Sequence, residues 1–318
     1  MAECPQETCF WSDGAGCSLG YLYPSDCPAL KTAPAAKQDE QPSPEAVSMP
    51  WSGSVLGLTD LGFVAGRSKP IVLAVMGAHN AGKTTLLGAC YLLLGRGQRP
   101  NHDLRFAGSY SLAGWENVAS PLRWKAGPVA PGFPPHTSST TARNPGLLHL
   151  AFKQDHDHRT DYVITDAPGE WFRKWAVERD APEAEGARWA AEHADAFVLV
   201  ADREALAGEH MGKARSGIQL LARRLTHELR GRPVALVWTK SDVSISDEME
   251  QAVRSAVLKL MPDTPEFAVT IMRNPDESEN IQGFLDLLRW VLNIRRPTVR
   301  LPEPAAENSD PLFRLGAR

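Results

Sequence analysis

Short apolar runs recur through the middle of the chain: Ile71–Met76, Leu147–Phe152, Tyr162–Asp166, Ala196–Ala201, Pro233–Trp238 and Phe267–Met272. They are near-continuous in Val, Ile, Leu and Ala rather than alternating, as strands buried on both faces must be. Between them, apolar residues at helical spacing predict helices over Lys83–Leu94, Trp171–His193 (with a break near Pro182), Lys213–Arg230, Asp247–Met261 and Ile281–Ile294. Strands alternating with helices predict an α/β fold, a mostly parallel sheet between two helical layers. One connection departs from the pattern. The segment from Lys153 to Asp161 is short and polar, with no room for a crossover helix, so the strands it joins should form an antiparallel hairpin.

Periodicity fails at both ends. Residues 1–28 are rich in cysteine, and 29–50 in Pro, Ala, Gln and Ser, the composition of a flexible linker. The main domain is expected over 51–295, followed by a Pro-rich tail over 296–318. Inside the domain, Gly95 to Gly146 is too long for a plain loop. Within it, Ser111–Val118 reads as a short helix ending before Pro121, and Gly127–Pro135 is rich in Pro and Gly.

Composition is that of an ordinary globular protein, 43% hydrophobic and 23% charged. A net charge of -4 provides no general attraction to nucleic acid or anionic membrane. No apolar run approaches the roughly 20 residues of a membrane-spanning helix. The first residues, Met-Ala-Glu-Cys, do not resemble an export signal, so a cytoplasmic location is expected.

The chemistry begins where the first strand ends. Gly77-Ala78-His79-Asn80-Ala81-Gly82-Lys83-Thr84-Thr85 follows an apolar strand and opens a helix, the order a phosphate-binding loop requires. Its glycines let backbone N–H groups close on phosphate oxygens, Lys83 supplies a point charge, and the Thr84 hydroxyl suits Mg²⁺. Asp166-Ala-Pro-Gly169 ends the strand Tyr162–Asp166, placing a carboxylate for Mg²⁺ and an N–H for a γ-phosphate. Thr239-Lys240-Ser241-Asp242 follows the strand ending at Trp238. A carboxylate there can accept from both guanine N1–H and the exocyclic amine, which adenine cannot match. The Lys240 stem can cover the base plane.

These motifs and the hairpin make the central part of the chain resemble a Ras-like P-loop GTPase of the translation-factor-related class. The segments Arg105–Glu116, Pro135–Thr141, Leu147–Leu150 and Asp166–Phe172 look most like the bacterial double-GTPase family. The resemblance implies GTP and GDP binding with magnesium, GTP hydrolysis, and action beside a protein partner, such as a second GTPase, in a multi-gene system. Where relatives carry Asn at the start of the guanine motif, this chain has Thr239. After D-x-x-G it has Glu170, where Gln or His commonly orients water. A carboxylate near a γ-phosphate is repelled unless protonated or paired, so intrinsic hydrolysis should be slow. The alternative is an interaction module that binds GTP with little hydrolysis. The resemblance also requires a switch threonine, for which Thr137, Thr140 and Thr141 compete; Thr141 is nearest the following strand and is preferred. Trp171, Phe172 and Trp175 are read as core, and no guanine-contacting loop is recognisable after Phe267–Met272.

Cys4, Cys9, Cys17 and Cys27 crowd the N-terminus, while Cys90 lies alone in the first predicted helix. Two readings stay open: four ligands for a structural zinc, which is preferred, or a tail of unligated thiols. Metal analysis of the purified full chain decides between them. About one equivalent of zinc with protected thiols is expected; well under one equivalent with freely titrating thiols removes the zinc site.

Overall fold

The computed structural model describes residues 55–101, 103–123, 132–134, 145–154, 159–272 and 277–296, with side chains from 281 onward in the last stretch. Its strands are β1 (Ile71–Gly77), β2 (Arg105–Gly108), β3 (Gly146–Lys153), β4 (Arg159–Asp166), β5 (Ala196–Asp202), β6 (Val234–Thr239) and β7 (Glu266–Val269). They form one sheet in the order β2-β3-β4-β1-β5-β6-β7. β1 pairs in parallel with β4 on one side and β5 on the other. The parallel run continues through β6 to β7. β3 and β4 form the antiparallel hairpin expected from their short connection. β2, an edge strand with no apolar run to announce it, extends the sheet by pairing antiparallel to β3.

The helices are α1 (Leu61–Ala65), α2 (Lys83–Gly95), α3 (Leu112–Ala119), α4 (Gly169–Val177), α5 (Glu185–His193), α6 (Arg203–Ala207), α7 (Met211–Glu228), α8 (Asp247–Leu260) and α9 (Glu277–Leu292). No described helix is long and apolar enough to cross a membrane. Every residue of β1 is buried, and its side chains alternate between two cores. Val72, Ala74 and Met76 face Trp171, Phe172 and Trp175 of α4, together with Leu221 and Leu225 of α7. Ile71, Leu73 and Val75 face Leu86, Cys90 and Leu93 of α2, with Leu287 and Val291 of α9. The result is a three-layer α/β/α sandwich. Trp171 and Trp175 are interior, which accounts for their one-turn spacing by packing alone.

The stretch predicted as one interrupted helix divides into α4, a 3₁₀ turn at Pro182–Ala184, and α5. Pro182 cannot continue a helix but suits a first turn. Ala184, Ala187, Ala190 and Ala191 are all fully buried, so α5 lies close against its neighbours. At the far edge, β7 stops at Val269 rather than running to Met272. The residues that leave the sheet there reappear in the functional site.

One buried polar cluster fixes the segment between α2 and β3. His149, in the middle of β3, has no exposed surface. Its Nδ1 accepts from the Tyr110 N–H at 3.0 Å, and its Nε2 lies 2.9 Å from Asp161 Oδ1. The first bond requires Nδ1 to be unprotonated, so Nε2–H donates to the carboxylate. Around it, the His149 N–H donates to Ser111 Oγ at 2.7 Å and the Trp115 indole donates to the His149 carbonyl at 2.9 Å. Burial pushes the Asp161 carboxyl up, but hydrogen bonds from His149 and Arg159 outweigh it and hold the group well below the usual carboxylate range. Replacing His149 with Ala removes a donor from a buried carboxylate and releases the Tyr110 turn. A loss of about 2–4 kcal/mol in urea unfolding at pH 7 is expected. The difference should shrink as pH falls below about 3.9, where the unfolded chain takes up a proton on Asp161 that the native carboxylate resists.

Candidate functional site

The C-terminal ends of β1, β4, β5, β6 and β7 open on one side of the sheet. β1 lies where the strand order reverses, the position at which open α/β sheets leave a crevice. After Gly77 the chain turns through Asn80 (φ 60°) and Gly82 (φ 81°) before α2 starts at Lys83. Positive φ at the residue preceding a helix favours glycine. No side chain caps α2, so N–H groups of its first turn point into the crevice.

Lys83 is buried, and its Nζ donates to the Ala78 carbonyl at 2.8 Å and the Gly77 carbonyl at 3.2 Å. Burial pulls its pKa down from 10.5 to about 8, against the attraction of Asp166 and Glu170. A buried group that is costly to charge is one that an incoming anion stabilises. Beside it the Thr84 hydroxyl donates to Asp166 Oδ1 at 3.0 Å. One hydroxyl and one carboxylate in contact are the hard oxygen ligands that Mg²⁺ takes when phosphates complete its shell. Among the described residues no cluster of three or more His, Cys, Asp or Glu side chains could hold a metal unaided. Thr84 and Asp166 fit a Mg²⁺ whose remaining ligands come from a bound nucleotide and water.

Gly169 ends the D-x-x-G turn directly on the phosphate-binding loop. A Cβ placed on it would lie 2.2 Å from the His79 nitrogen and 2.3 Å from the Ala78 carbonyl carbon. Only a glycine permits so close an approach of the two backbones. One residue on, Glu170 Oε1 lies 2.7 Å from His79 Nδ1.

The third loop is tied to the first two. Thr239 Oγ1 donates to the Ala81 carbonyl at 2.8 Å, with the Ala201 carbonyl at 3.3 Å. A threonine hydroxyl thus makes the cross-link to the phosphate loop that an Asn amide could make from the same position. Lys240 adopts φ 53°, and its Nζ bonds Asp202 Oδ2 and Glu204 Oε2, each at 2.8 Å. Asp242 Oδ1 accepts from Thr270 Oγ1 at 2.5 Å, and the Ser241 N–H donates to the Val269 carbonyl at 3.2 Å.

His79–Thr85, Gly169, Thr239, Lys240 and Asp242 line a single cleft of about 680 Å³. Gly77, Ala78 and Asp166 join it through their bonds to Lys83 and Thr84. Thr141 and the four N-terminal cysteines lie outside the described residues. Sequence reasoning missed Thr270, Ile271 and Met272, which line the cleft with Phe133. Apolar Ile271 and Met272 prolong the strand pattern in the sequence, whereas β7 ends at Val269. Thr270 as a hydroxyl at a strand end was the available signal.

A phosphate-binding loop, a D-x-x-G turn and a guanine-type loop at the C-terminal ends of β1, β4 and β6 of one sheet define a P-loop GTPase. The chain belongs to the Double-GTPase 2 family, whose model matches residues 71–291. No curated protein matches it. Among solved structures it is similar to the Arl6 BBS3 small GTPase of Trypanosoma brucei with bound nucleotide analogue GppNp. That similarity is 15% in identity, with a TM-score of 0.35, over 71% of this chain and 99% of the other.

The lowered pKa of Lys83 has a measurable consequence. The Lys83 proton is partly lost above about pH 8, and phosphates beside it favour the proton's return. Binding of the Mg²⁺–GDP complex should therefore take up a fraction of a proton at pH 8.5, and less at pH 7 where the lysine is already charged. Calorimetry in buffers of different ionisation enthalpy reads this directly; equal uptake at both pH values would exclude it.

Proposed function

We propose that the chain binds GTP with Mg²⁺ in this cleft and hydrolyses it to GDP and phosphate. The observation that carries the proposal is the convergence of Lys83, the Thr84–Asp166 pair and Asp242 on one cleft at the ends of β1, β4 and β6. Lys83 and the N–H groups opening α2 hold the phosphates. Thr84 would hold Mg²⁺ with Asp166 in support, and the bound cation would offset the charge of the phosphates. The Gly169 N–H meets the γ-phosphate, and Thr141 serves as the switch threonine. Asp242 reads guanine, with the Lys240 stem over the base. Thr270 donates to one Asp242 oxygen and so orients the carboxylate.

Loss of the γ-phosphate would release the segments after Arg96 and after Asp166 and change affinity for a protein partner. A second GTPase in a bacterial multi-gene system is the partner the family suggests, with the protein acting in the cytoplasm. The alternative is a module that binds GTP and hydrolyses it little. Single-turnover assays with and without partner separate the two: phosphate release abolished by Lys83→Ala supports the enzyme, and tight binding without release supports the module.

Base selection is tested at Asp242. Asp242→Asn should weaken GTP by roughly 10–100-fold, the loss of a charged hydrogen-bond acceptor, and improve binding of xanthosine triphosphate. Competition against a labelled guanine nucleotide measures both. Unchanged selectivity, or ATP competing as well as GTP against wild type, would remove the guanine assignment.

A further inference from the structure

Lys240 is fastened at both ends. Its backbone follows β6, yet its Nζ donates to two carboxylates carried where the chain leaves β5: Asp202 Oδ2 and Glu204 Oε2, each at 2.8 Å. The pairing of β5 with β6 sets Asp202 beside Thr239, so the lysine stem crosses from one strand end to the next. Asp202 is itself buried, and its other oxygen caps α6 by accepting from the Glu204 and Ala205 N–H groups at 3.0 and 3.3 Å. Between them Arg203 fixes that helix by lying over the Trp238 ring at 5.6 Å and by bonding Glu250. Burial works against the Lys240 charge, but hydrogen bonds to the two carboxylates outweigh it and hold its pKa above the ordinary lysine value. The residue also holds a left-handed φ of 53°, which a side-chain-bearing residue keeps only where its surroundings enforce it. Lys240 and Glu204 both line the cleft, and neither is buried.

We propose that Asp202 and Glu204 are positioning residues for the lysine wall of the base site. Anchored at its backbone and at Nζ, the Lys240 side chain is a bar whose methylenes are held in place by the protein's own bonds. Those methylenes are what it offers a guanine plane, since its charge is already matched by the two carboxylates. A free lysine loses rotamer freedom when it packs against a base, and an anchored one has less to lose. Charge alone predicts the opposite effect of the two acids. Carboxylates beside the cleft repel a polyphosphate, so on that ground removing them tightens nucleotide binding. The sign of the change therefore separates positioning from simple repulsion. This assignment rests on the reading of Lys240 and Asp242 as the guanine site.

The test is equilibrium binding to the full chain of GDP and of inorganic tripolyphosphate, which lacks the base, each with Mg²⁺. Asp202→Asn keeps the cap of α6, because Asn caps a helix as well as Asp does. Glu204→Gln removes one charge from an exposed side chain. The double variant should bind GDP about 2–10-fold more weakly, the cost of immobilising one long side chain. It should bind tripolyphosphate as well as wild type or better. GTP should lose the same factor as GDP, since the base is common to both. Glu204→Gln alone, which leaves the buried cap untouched, should show the same pattern at smaller size. Lys240→Ala should weaken GDP by itself, and adding the double substitution to it should weaken GDP no further. GDP bound equally or more tightly by the double variant, a parallel loss of tripolyphosphate affinity in Glu204→Gln, or further weakening in the Lys240→Ala background would each overturn the assignment and leave the guanine site standing. Unchanged GDP affinity in both Lys240→Ala and Asp242→Asn would overturn the guanine reading, and the assignment with it.

Discussion

Strand β1 can be buried at every position only because parallel neighbours flank both its edges and helices cover both its faces. That constraint determines where the site must lie. A strand so enclosed has free space only past its C-terminal end, and the chain must turn there without a bulky side chain. Gly77 is packed against Val200 of β5, and Gly82 takes the left-handed conformation that launches α2. With β4 on one side and β5 on the other, the loops leaving all three strands meet above β1. The crevice is a consequence of the topology rather than a separate construction.

What turns a crevice into a defined site is cross-bonding between loops distant in sequence. Thr84 reaches Asp166, Thr239 reaches Ala81, and Asp242 reaches Thr270. Each bond joins the loop of one strand to the loop of another, so none of them can move far alone. A two-state switch needs such coupling, because a small change at the phosphates must be felt in several segments together. Gly169 resting on the backbone of Ala78 and His79 is the tightest of these contacts, and it involves the turn that a γ-phosphate would meet.

Much of this was legible in the sequence, for physical reasons that differ between elements. The strands near β1 announce themselves because burial on both faces demands unbroken apolar runs. The β3–β4 hairpin is legible because nine polar residues cannot make a crossover. β2 is not: an edge strand needs no apolar run, and Phe106 on it is largely exposed. The end of β7 was overrun because Ile271 and Met272 look like strand residues, whereas they line the cleft. His149 shows a further limit. Its partners are Tyr110 and Ser111 on one side and Asp161 on the other, and only the folded sheet brings them together. The pairing of His79 with Glu170 was hidden for the same reason, being a contact between two loops rather than a motif within one.

The remaining question is how a cleft so rich in carboxylates can accept a polyphosphate. Asp166, Glu170, Asp202, Glu204 and Asp242 all stand in or near it, against few cations. The structure resolves this by matching each acid locally. Glu170 faces His79, Asp202 and Glu204 share Lys240, Asp166 accepts from Thr84, and Asp242 accepts from Thr270. Lys83 hydrogen-bonds carbonyl oxygens of its own loop, with Asp166 and Glu170 near enough to attract it but not among its hydrogen-bond partners. Its charge is thereby kept for the ligand, in an environment of low polarity where it acts more strongly than it would in water. The positive character of the phosphate end therefore comes from Lys83 and the uncapped start of α2, while the acids around it are neutralised or turned toward groups that want them.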